Sequence, residues 1–359
     1  MKHTPYVLIM AGGVGSRFWP ASREHLPKQF LDITGSGKSL LRETVDRFQA
    51  FVPTDHMYII THQDYTSLVK EVVPELSTEQ IIGEPSRNNT APAIALASLK
   101  LSKLNPEAVC IVAPADHMIH REDEFERVIN LAVQHAAEKN SLVTLGIAPT
   151  RPDTGYGYIE FDRQDQKEVA HVKSFREKPD RQTAEEYLRS GSFVWNAGIF
   201  IWKLSVILEN IREHAPSVSD VLAPGIPFYN TSKEKEFIND AYPKTEKISI
   251  DYAVLERADN VFTIPCDIDW SDLGTWSSLY DYLDKDNAGN VLLSGRVFMD
   301  GANNNLVFSK KDKLIVVKGL ENHIIVDTKD CLMIYPMHDE QAIKTLKKDL
   351  EEKGFIDHL

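Results

Sequence analysis

The sequence predicts an α/β protein with a mostly parallel sheet, helices on both faces and a small β-rich segment at its C-terminal end. Three observations carry this prediction. From Tyr6 to about Leu145, short apolar runs typical of buried strands alternate with helical patterns. After Pro149, β-type runs are separated by short turns, which indicates an antiparallel extension. From Asn287 to Tyr335, many short β-type runs indicate a stack of parallel strands, a short β-helix.

The composition is that of a globular protein, and it argues against several classes of function. The 359 residues, 42% of them hydrophobic, suffice for two or three domains. A net charge of −13 argues against nucleic acid or an anionic membrane as the main partner. No apolar stretch approaches the roughly 20 residues that cross a bilayer. Three cysteines without metal-ligand spacing, Cys110, Cys266 and Cys331, predict a reduced, cytoplasmic setting.

The individual elements follow from these patterns in chain order. The first part has strands predicted at 6–10, 57–61, 109–113 and 142–146, and helices at 40–51, 63–73, 91–104 and 122–139. The second part has strands at 156–159, 172–175 and 194–202, and helices at 182–188, 204–212, 233–241 and 250–257. The third part has strands at 291–293, 306–308, 314–317 and 324–326, and a terminal helix at 340–353. We therefore expect a catalytic domain at 1–286 and a β-helix domain with its terminal helix at 287–359.

The first strand leads directly into a glycine-rich loop. The loop residues are Ala11, Gly12, Gly13, Gly15 and Ser16. Such a loop lets main-chain N–H groups approach an anion, because no Cβ blocks the way. Two cations, Arg17 and Lys28, follow it. The sequence therefore predicts a site for a triphosphate.

Two common phosphate motifs do not fit this stretch. A dinucleotide fingerprint needs a third glycine where the chain has Phe18. A P-loop ending at Gly37-Lys38-Ser39 would need its first glycine at Asp32, and no apolar strand precedes it. The dinucleotide-dependent dehydrogenases are thereby disfavoured.

What remains, Gly-Gly-x-Gly-x-Arg-x-x-Pro followed by Pro-Lys-Gln-Phe, resembles the nucleotide-binding loop of the sugar-1-phosphate nucleotidyltransferases. The Ser22-Arg23 pair and the Pro-Lys-Gln-Phe ending are similar to the mannose-1-phosphate guanylyltransferase branch of that family. The resemblance implies a Rossmann-like nucleotidyltransferase fold, in which the glycine loop wraps the nucleotide and Arg17 and Lys28 contact its phosphates. Longer members of the family often carry a left-handed β-helix. The matching motifs run from Gly12 to Trp276.

Two acidic positions are candidate metal ligands. Asp116 follows the strand at 109–113, where it could bind Mg²⁺ or cap the next helix. Asp272 lies in an acidic stretch with Asp267 and Asp269, where it could also cap a helix. The resemblance implies that Asp116 and Asp272 hold Mg²⁺, for which Mn²⁺ may substitute, and gives Asp267 and Asp269 no role. We expect His117 to be a packing residue.

The segment after position 83 is a candidate base site. A carboxylate can accept from both donors on the Watson–Crick edge of guanine, so Glu84 is a candidate guanine reader. Asn89 and Thr90 could support base or ribose, and they could equally cap the helix that follows. Ala115, next to Asp116, is also expected to contact the nucleotide.

The sugar site is predicted only from motifs taken together. By itself Glu-Lys-Pro is a trivial tripeptide, but its order in the chain matches the family's sugar site. Glu177 could then accept from sugar hydroxyls, Lys178 could meet the sugar phosphate and Asn196 could bind another hydroxyl. Tyr156 and Gly157 are expected to line the same place.

The resemblance implies a GTP-dependent enzyme that makes GDP-mannose from mannose 1-phosphate, with Arg17, Lys28 and Lys178 as its catalytic cations. Two alternatives stay open: another sugar 1-phosphate such as a heptose, and a non-catalytic nucleotide-sugar sensor. We expect no isomerase-type domain beyond Leu359. A homodimer paired through the β-helix end is a further expectation.

Overall fold

The computed structural model describes residues 4–162 and 167–359, which contacts divide into two compact units. The first unit comprises the described residues of Met1–Gly12, Val45–Ala115 and Ile119–Trp270. The second comprises Gly13–Thr44, Asp116–Met118 and Ser271–Leu359. The domain boundary at residue 286 stays a prediction.

The strands follow the predicted runs closely in the N-terminal part. Strands β1 to β9 are Tyr6–Met10, Met57–His62, Ile81–Glu84, Val109–Pro114, Met118–Ile119, Leu142–Ile147, Tyr158–Phe161, Ala170–Arg176 and Phe193–Lys203. Strands β10 to β17 are Val261–Cys266, Trp270–Ser271, Val291–Leu293, Val297–Asp300, Leu306–Ser309, Ile315–Lys318, His323–Asp327 and Leu332–Pro336. Of these, β5, β10, β11, β13 and β17 were not predicted.

Most helices also lie close to their predicted positions, but Pro216–Leu222 and Trp276–Tyr282 were not among the predicted helices. Helices α1 to α5 are Leu40–Gln49, Thr66–Val72, Thr90–Ser102, Glu122–Glu138 and Arg181–Ser190. Helices α6 to α10 are Leu204–His214, Pro216–Leu222, Glu234–Ala241, Trp276–Tyr282 and Ile343–Glu352. The helix expected at 250–257 is instead one wide, π-type turn, Asp251–Leu255. Within the described ranges, no helix is both long and apolar enough to cross a bilayer.

The first unit is organised on a nine-stranded sheet in the order β3-β2-β1-β4-β9-β6-β10-β8-β7. Strands β1 to β4 pair in parallel, and so do β6 and β10. Strand β9 is inserted antiparallel between β4 and β6, and β7 and β8 continue antiparallel at one edge. The prediction of a mostly parallel sheet is therefore right for its N-terminal half, whereas the whole sheet is mixed. The cause is β9, which the sequence indicated as part of an extension and which inserts into the middle of the sheet.

Both faces of this sheet are buried. Successive side chains of a strand point to opposite faces, and Val7, Leu8 and Ile9 in β1 all have no exposed surface. One face packs against α3, α6 and α7, where Leu8 and Trp202 belong to one continuous apolar core. This burial fixes the C-terminal ends of β1 and β4, where the chain leaves the sheet for the glycine loop and for Asp116.

The C-terminal part of the second unit forms the expected stack of parallel strands. Strands β12, β14 and β16 pair in parallel, and β13 and β15 form a second parallel pair, so the chain alternates between two sheets. Strand β17 closes the larger sheet antiparallel to β16. At the turns, the Asn305 side chain donates to Asn290 Oδ1 and to the Leu320 carbonyl. That these strands form a left-handed β-helix stays a prediction.

The core of the second unit joins residues from both ends of the chain. Phe18 and Trp19, just after the glycine loop, are buried together with Trp276 and Phe308. The Trp276 ring lies 4.8 Å from that of Phe18 and 5.4 Å from that of Phe308, measured between centroids. Its Nε1 donates to the Trp19 carbonyl at 3.2 Å. The C-terminal strands therefore form part of the packing surface for the segment that carries Arg17 and Lys28.

Candidate active site

The glycine loop starts at the end of β1. The Ala11 N–H donates to the Ile60 carbonyl at 2.8 Å, and the Ala11 carbonyl accepts from the Thr61 hydroxyl at 2.7 Å. At Gly12, an added Cβ would lie 3.4 Å from Glu84 Oε2, so loop and candidate base reader are neighbours. Ala115 extends β4 by donating its N–H to the Met10 carbonyl at 3.0 Å. These predicted nucleotide residues of the first unit thus converge.

Gly15 is required by the conformation of the loop. Its φ of +66° is in the left-handed region, and a Cβ at this position would lie 2.5 Å from Lys28 Cβ. Ser16 then opens a short 3₁₀ turn, Ser16–Phe18, in which Arg17 is exposed. At Gly13, by contrast, an added Cβ would meet no atom within 4 Å. The glycines therefore have different roles: Gly15 lets the loop pass over Lys28, and Gly13 leaves the loop surface open.

Lys28 is the centre of the polar cluster in the second unit. Only 4% of the residue is exposed, which is rare for a lysine unless it is paired. Its ammonium lies 2.7 Å from Asp116 Oδ2, and it donates to the carbonyls of Leu273 at 2.9 Å and Asp272 at 3.3 Å. The structure therefore brings together three residues predicted from separate motifs: Lys28, Asp116 and Asp272.

The charge of Asp116 is stabilised in this cluster. Burial raises the pKa of Asp116, but the neighbouring Lys28 ammonium and His117 outweigh burial, so the pKa lies below its ordinary value. The Asp272 carboxylate accepts from the Gly274 N–H at 3.0 Å, a turn that holds it in place. The candidate ligands are thus oxygen atoms, the donors that Mg²⁺ prefers.

The donor set fits a hard divalent ion and no softer one. Among the described residues, no three His, Cys, Asp or Glu side chains converge as a metal site. Two carboxylates together with phosphate oxygens would suffice for Mg²⁺, which keeps several waters. The other acids of the motif are engaged elsewhere: Asp267 pairs with Arg121 at 2.7 Å and Asp269 with His120 at 2.9 Å.

Glu84 is held in an unusual environment for an acid. Only 7% of it is exposed, at the end of β3. Burial raises the pKa of Glu84 to about 7, despite a short hydrogen bond donated by the Tyr242 hydroxyl and the charge of Arg87. Near neutral pH this carboxyl exists in both protonation states. A ligand that offers donors to it would favour the ionised form.

Helix capping was the structural alternative to nucleotide binding at Asn89 and Thr90, and it is observed at Asn89. Asn89, at a φ of +72°, is the N-cap of α3, and its Oδ1 accepts from the Thr90 N–H at 2.9 Å. The Thr90 hydroxyl accepts from the Ile250 N–H at 2.8 Å. Capping therefore accounts for the Asn89 side chain, whereas the Thr90 hydroxyl joins the start of α3 to the segment at Ile250. Contact of Asn89 or Thr90 with a nucleotide stays a prediction.

The predicted sugar residues form one cluster in the first unit. The Asn196 N–H donates to the Gly157 carbonyl at 2.8 Å, and the Lys178 N–H donates to the Tyr156 carbonyl at 3.3 Å. A Cβ on Gly157 would lie 2.5 Å from Glu177 Oε2, so Gly157 and that carboxylate are close neighbours. The side chains of Glu177 and Lys178 form an ion pair. The Tyr156 ring packs edge-on against Trp195 and Trp270.

Sequence reasoning missed two residues that contact this machinery. Tyr242 donates to Glu84, and Asp251 accepts from Asn196 Nδ2 at 3.1 Å. Both lie far along the chain from their partners: Tyr242 directly follows the helix predicted at 233–241, and Asp251 lies in the helix predicted at 250–257. A polar side chain at the start of the helical pattern at 250 was the one available signal for Asp251, and it fits an ordinary helix cap equally well.

Arg23, which the sequence offered only as part of a signature, is a structural residue. It is 6% exposed, and its guanidinium donates to the carbonyls of Pro20 and His358 and to Asp330 Oδ1 at 3.0 Å. The indole of Trp19 also donates to the His358 carbonyl, at 2.7 Å. The segment between Arg17 and Lys28 is thus fastened to the C-terminal end of the chain.

Comparisons with known proteins agree with this arrangement. The family model "Nucleotidyl transferase" matches residues 6–289. The chain is 36% identical over 352 residues to the mannose-1-phosphate guanylyltransferase of Escherichia coli, covering 96% of this chain and 74% of the relative. It is equally 36% identical over 353 residues to the alginate biosynthesis protein AlgA of Pseudomonas putida, covering 97% and 72%.

A solved structure is similar over nearly the whole chain. It is described as a mannose-1-phosphate geranyltransferase from Thermus thermophilus, with a TM-score of 0.87 and 29% identity, and the match covers 97% of this chain and 99% of that one. The glycine loop, the Lys28 cluster and these matches lead to one conclusion. The chain belongs to the nucleotidyl transferase family, in the branch of the mannose-1-phosphate guanylyltransferases.

Proposed function

We propose that the protein transfers GMP from GTP to mannose 1-phosphate, forming GDP-mannose and releasing pyrophosphate. The observation that carries this proposal is the buried Lys28 ammonium, which joins the Asp116 carboxylate to the main chain at Asp272. A buried cation beside a glycine loop suits a phosphate-rich substrate. The names of the relatives from E. coli and Klebsiella pneumoniae support the choice of sugar and nucleotide.

The reaction needs charge neutralisation and alignment more than proton transfer. The phosphate of mannose 1-phosphate is already an anion near pH 7, so its oxygen attacks the α-phosphorus of GTP without a general base. The bond from that phosphorus to the bridging oxygen breaks, and pyrophosphate leaves. Lys28 and the exposed Arg17 would neutralise phosphate charge, and Lys178 would hold the sugar phosphate.

A divalent metal ion is a general requirement of nucleotidyltransferases of this family. We propose Mg²⁺, with Mn²⁺ as a substitute, held by Asp116 and Asp272. When bound, the ion would supply positive charge to the phosphate oxygens. The oxygen-only donor set and the ionised state of Asp116 support this assignment.

The base and the sugar are assigned to the first unit. Glu84 would accept from the N1–H and the amino group of guanine, with Ala11, Gly12, Asn89, Thr90 and Ala115 around the nucleotide. Glu177 and Asn196 would bind sugar hydroxyls, with Tyr156 and Gly157 beside them. The contact between Gly12 and Glu84, and that between Gly157 and Glu177, support these groupings.

Two broader features complete the proposal. We propose that the coils of the C-terminal strands are left-handed, and that two chains pair through them as a homodimer. The register pair Phe298 and Val316, about 60% exposed on β13 and β15, supports a covered apolar surface there. Light scattering coupled to gel filtration would measure the mass, and a species of 40.6 kDa at all concentrations would contradict the dimer.

The proposal as a whole is tested by a substrate matrix. The purified protein is incubated with Mg²⁺, each of the four NTPs and a panel of sugar 1-phosphates that includes mannose and a heptose, and pyrophosphate release is followed. We expect release with GTP and mannose 1-phosphate at least about tenfold above every other pair, because hydroxyl and base contacts of this kind discriminate by one or more kcal/mol. Preference for another sugar would replace mannose in the proposal, and release with no pair would overturn it.

A further inference from the structure

Asn196 is held in one orientation by three partners. Its Oδ1 accepts from the Gly198 N–H and from the Thr144 hydroxyl, each at 3.0 Å, and the same hydroxyl also contacts the Ile199 carbonyl at 3.2 Å. Its Nδ2 donates to Asp251 Oδ1 at 3.1 Å. Turning the amide over would face donors with donors. Nδ2 donates one of its two N–H groups to Asp251, and we expect the other to bind the ligand.

Asp251 also stands beside the other predicted sugar residues. Burial and the Glu177 carboxylate raise the pKa of Asp251 to about 6, while Lys178 lowers it. Both of these charged neighbours lie in the segment after β8. The Glu177 N–H in turn donates to Glu256 Oε1 at 3.3 Å, just beyond the same π-type turn that carries Asp251. Such turns often occur at functional sites.

These contacts place the Asp251 and Glu177 carboxylates close enough for their charges to repel, with the side chains of Asn196, Ser249 and Lys178 as their partners. Clustered carboxylates repel unless cations or donors compensate. A hexose phosphate supplies several hydroxyl donors, which a nucleotide phosphate alone does not. The surroundings of Asp251 therefore suit a polyhydroxylated ligand.

We propose that Asp251 is a positioning residue of the sugar site, which fixes the Asn196 amide and thereby sets affinity for the sugar part of the ligand. This inference rests on the proposed function, since it assumes that Asn196 binds the sugar. It assigns Asp251 no part in binding the nucleotide.

The test is calorimetric and needs no turnover. Binding of GDP-mannose and of GDP is measured for the wild type, Asp251→Ala and Asp251→Asn. Asp259→Asn, an exposed acid on the same segment, is the matched control. We expect Asp251→Ala to weaken the binding of GDP-mannose at least about tenfold, because the Asn196 amide loses its partner. The affinity for GDP should change less than about twofold. Asp251→Asn should retain most of the affinity, since its amide oxygen can still accept from Asn196.

The pH profile separates positioning from general damage. The terminal phosphate of free GDP titrates near neutral pH in both proteins, so the profile of Asp251→Asn is compared with that of the wild type. The advantage of GDP-mannose over GDP should rise more from pH 5 to pH 7 in the wild type, because only there does Asp251, whose pKa is raised to about 6, become the ionised and stronger acceptor for the Asn196 amide. The inference would be overturned if Asp251→Ala lost affinity equally for GDP-mannose and GDP. It would also be overturned if the pH profile of Asp251→Asn were the same as that of the wild type. A wild type for which the mannosyl group adds no affinity would instead contradict the proposed function.

Discussion

At the scale of single residues, the proposed phosphate site depends on two cations, Lys28 and Arg17. Lys28→Ala and Arg17→Ala should each lower kcat/KM for GTP at least about tenfold, because a charge-assisted phosphate contact is worth about 1.5–3 kcal/mol. Since Lys28 is buried and Arg17 is exposed, only Lys28→Ala should also lower Tm. Initial rates and thermal melting measure the two effects.

The control for this pair is Lys235→Ala, which removes an exposed lysine of α8 and should leave rate and Tm unchanged. Turnover near the wild-type level in both Lys28→Ala and Arg17→Ala would contradict the assignment of these cations to the phosphates.

If Glu84 reads guanine as proposed, base recognition depends on pH. With its pKa raised to about 7, the carboxyl is mostly protonated at pH 6 and mostly ionised at pH 8, and only the ionised form accepts from both donors of guanine. Affinity for GDP should therefore rise roughly tenfold from pH 6 to pH 8. Glu84→Gln should abolish this dependence and reduce the discrimination of GTP over ATP by about 1–3 kcal/mol.

Tyr242→Phe provides a second check on the same group. The Tyr242 hydrogen bond lowers the pKa of Glu84, so its removal should shift the midpoint of GDP binding to higher pH. The measurement is nucleotide affinity by calorimetry across this pH range. An unchanged base preference in Glu84→Gln would assign guanine recognition to main-chain groups.

At the scale of elements, the conformation of the glycine loop requires glycine at position 15. Gly15→Ala should destabilise the protein by about 1–3 kcal/mol, because it combines a positive φ with a Cβ placed against Lys28. Gly13→Ala, whose Cβ would meet no neighbour within 4 Å, should change the free energy of unfolding far less. Denaturant unfolding of the two variants compares them directly, and equal losses would show that the left-handed turn is not what constrains the loop.

At the scale of the whole molecule, the proposed metal ligands, Asp116 and Asp272, come from distant parts of the chain. A chelator should abolish activity, and Mg²⁺ or Mn²⁺ should restore it. Asp116→Asn and Asp272→Asn should each raise the Mg²⁺ concentration for half-maximal rate and lower the rate at saturation. The double variant should lose little more than the worse single one, since both carboxylates serve one ion. Initial rates against Mg²⁺ check this, and full activity in chelator would exclude the metal role.

The second unit shows why these ligands meet. Asp116, Lys28 and Asp272 belong to three separate segments of that unit. The segment from Arg17 to Lys28 is held against the C-terminal strands by packing around Trp276. It is also held there by the hydrogen bonds of Arg23 to Asp330 and His358. The C-terminal strands therefore support the predicted phosphate site as well as forming a fold of their own.

The sequence by itself determined the family, most strands and helices, and the glycine loop with its cations. These features are local: apolar periodicity, turn residues and a contiguous motif can be read from neighbouring positions. The comparisons confirm the family, whereas the role of each site residue remains a prediction. Only the tertiary structure decided that β9 enters the middle of the sheet, that Tyr242 pairs with Glu84 and that Asp251 holds Asn196. Such contacts join residues far apart in the chain. They depend on burial and hydrogen bonding between packed elements, and neither produces a periodic pattern in the sequence.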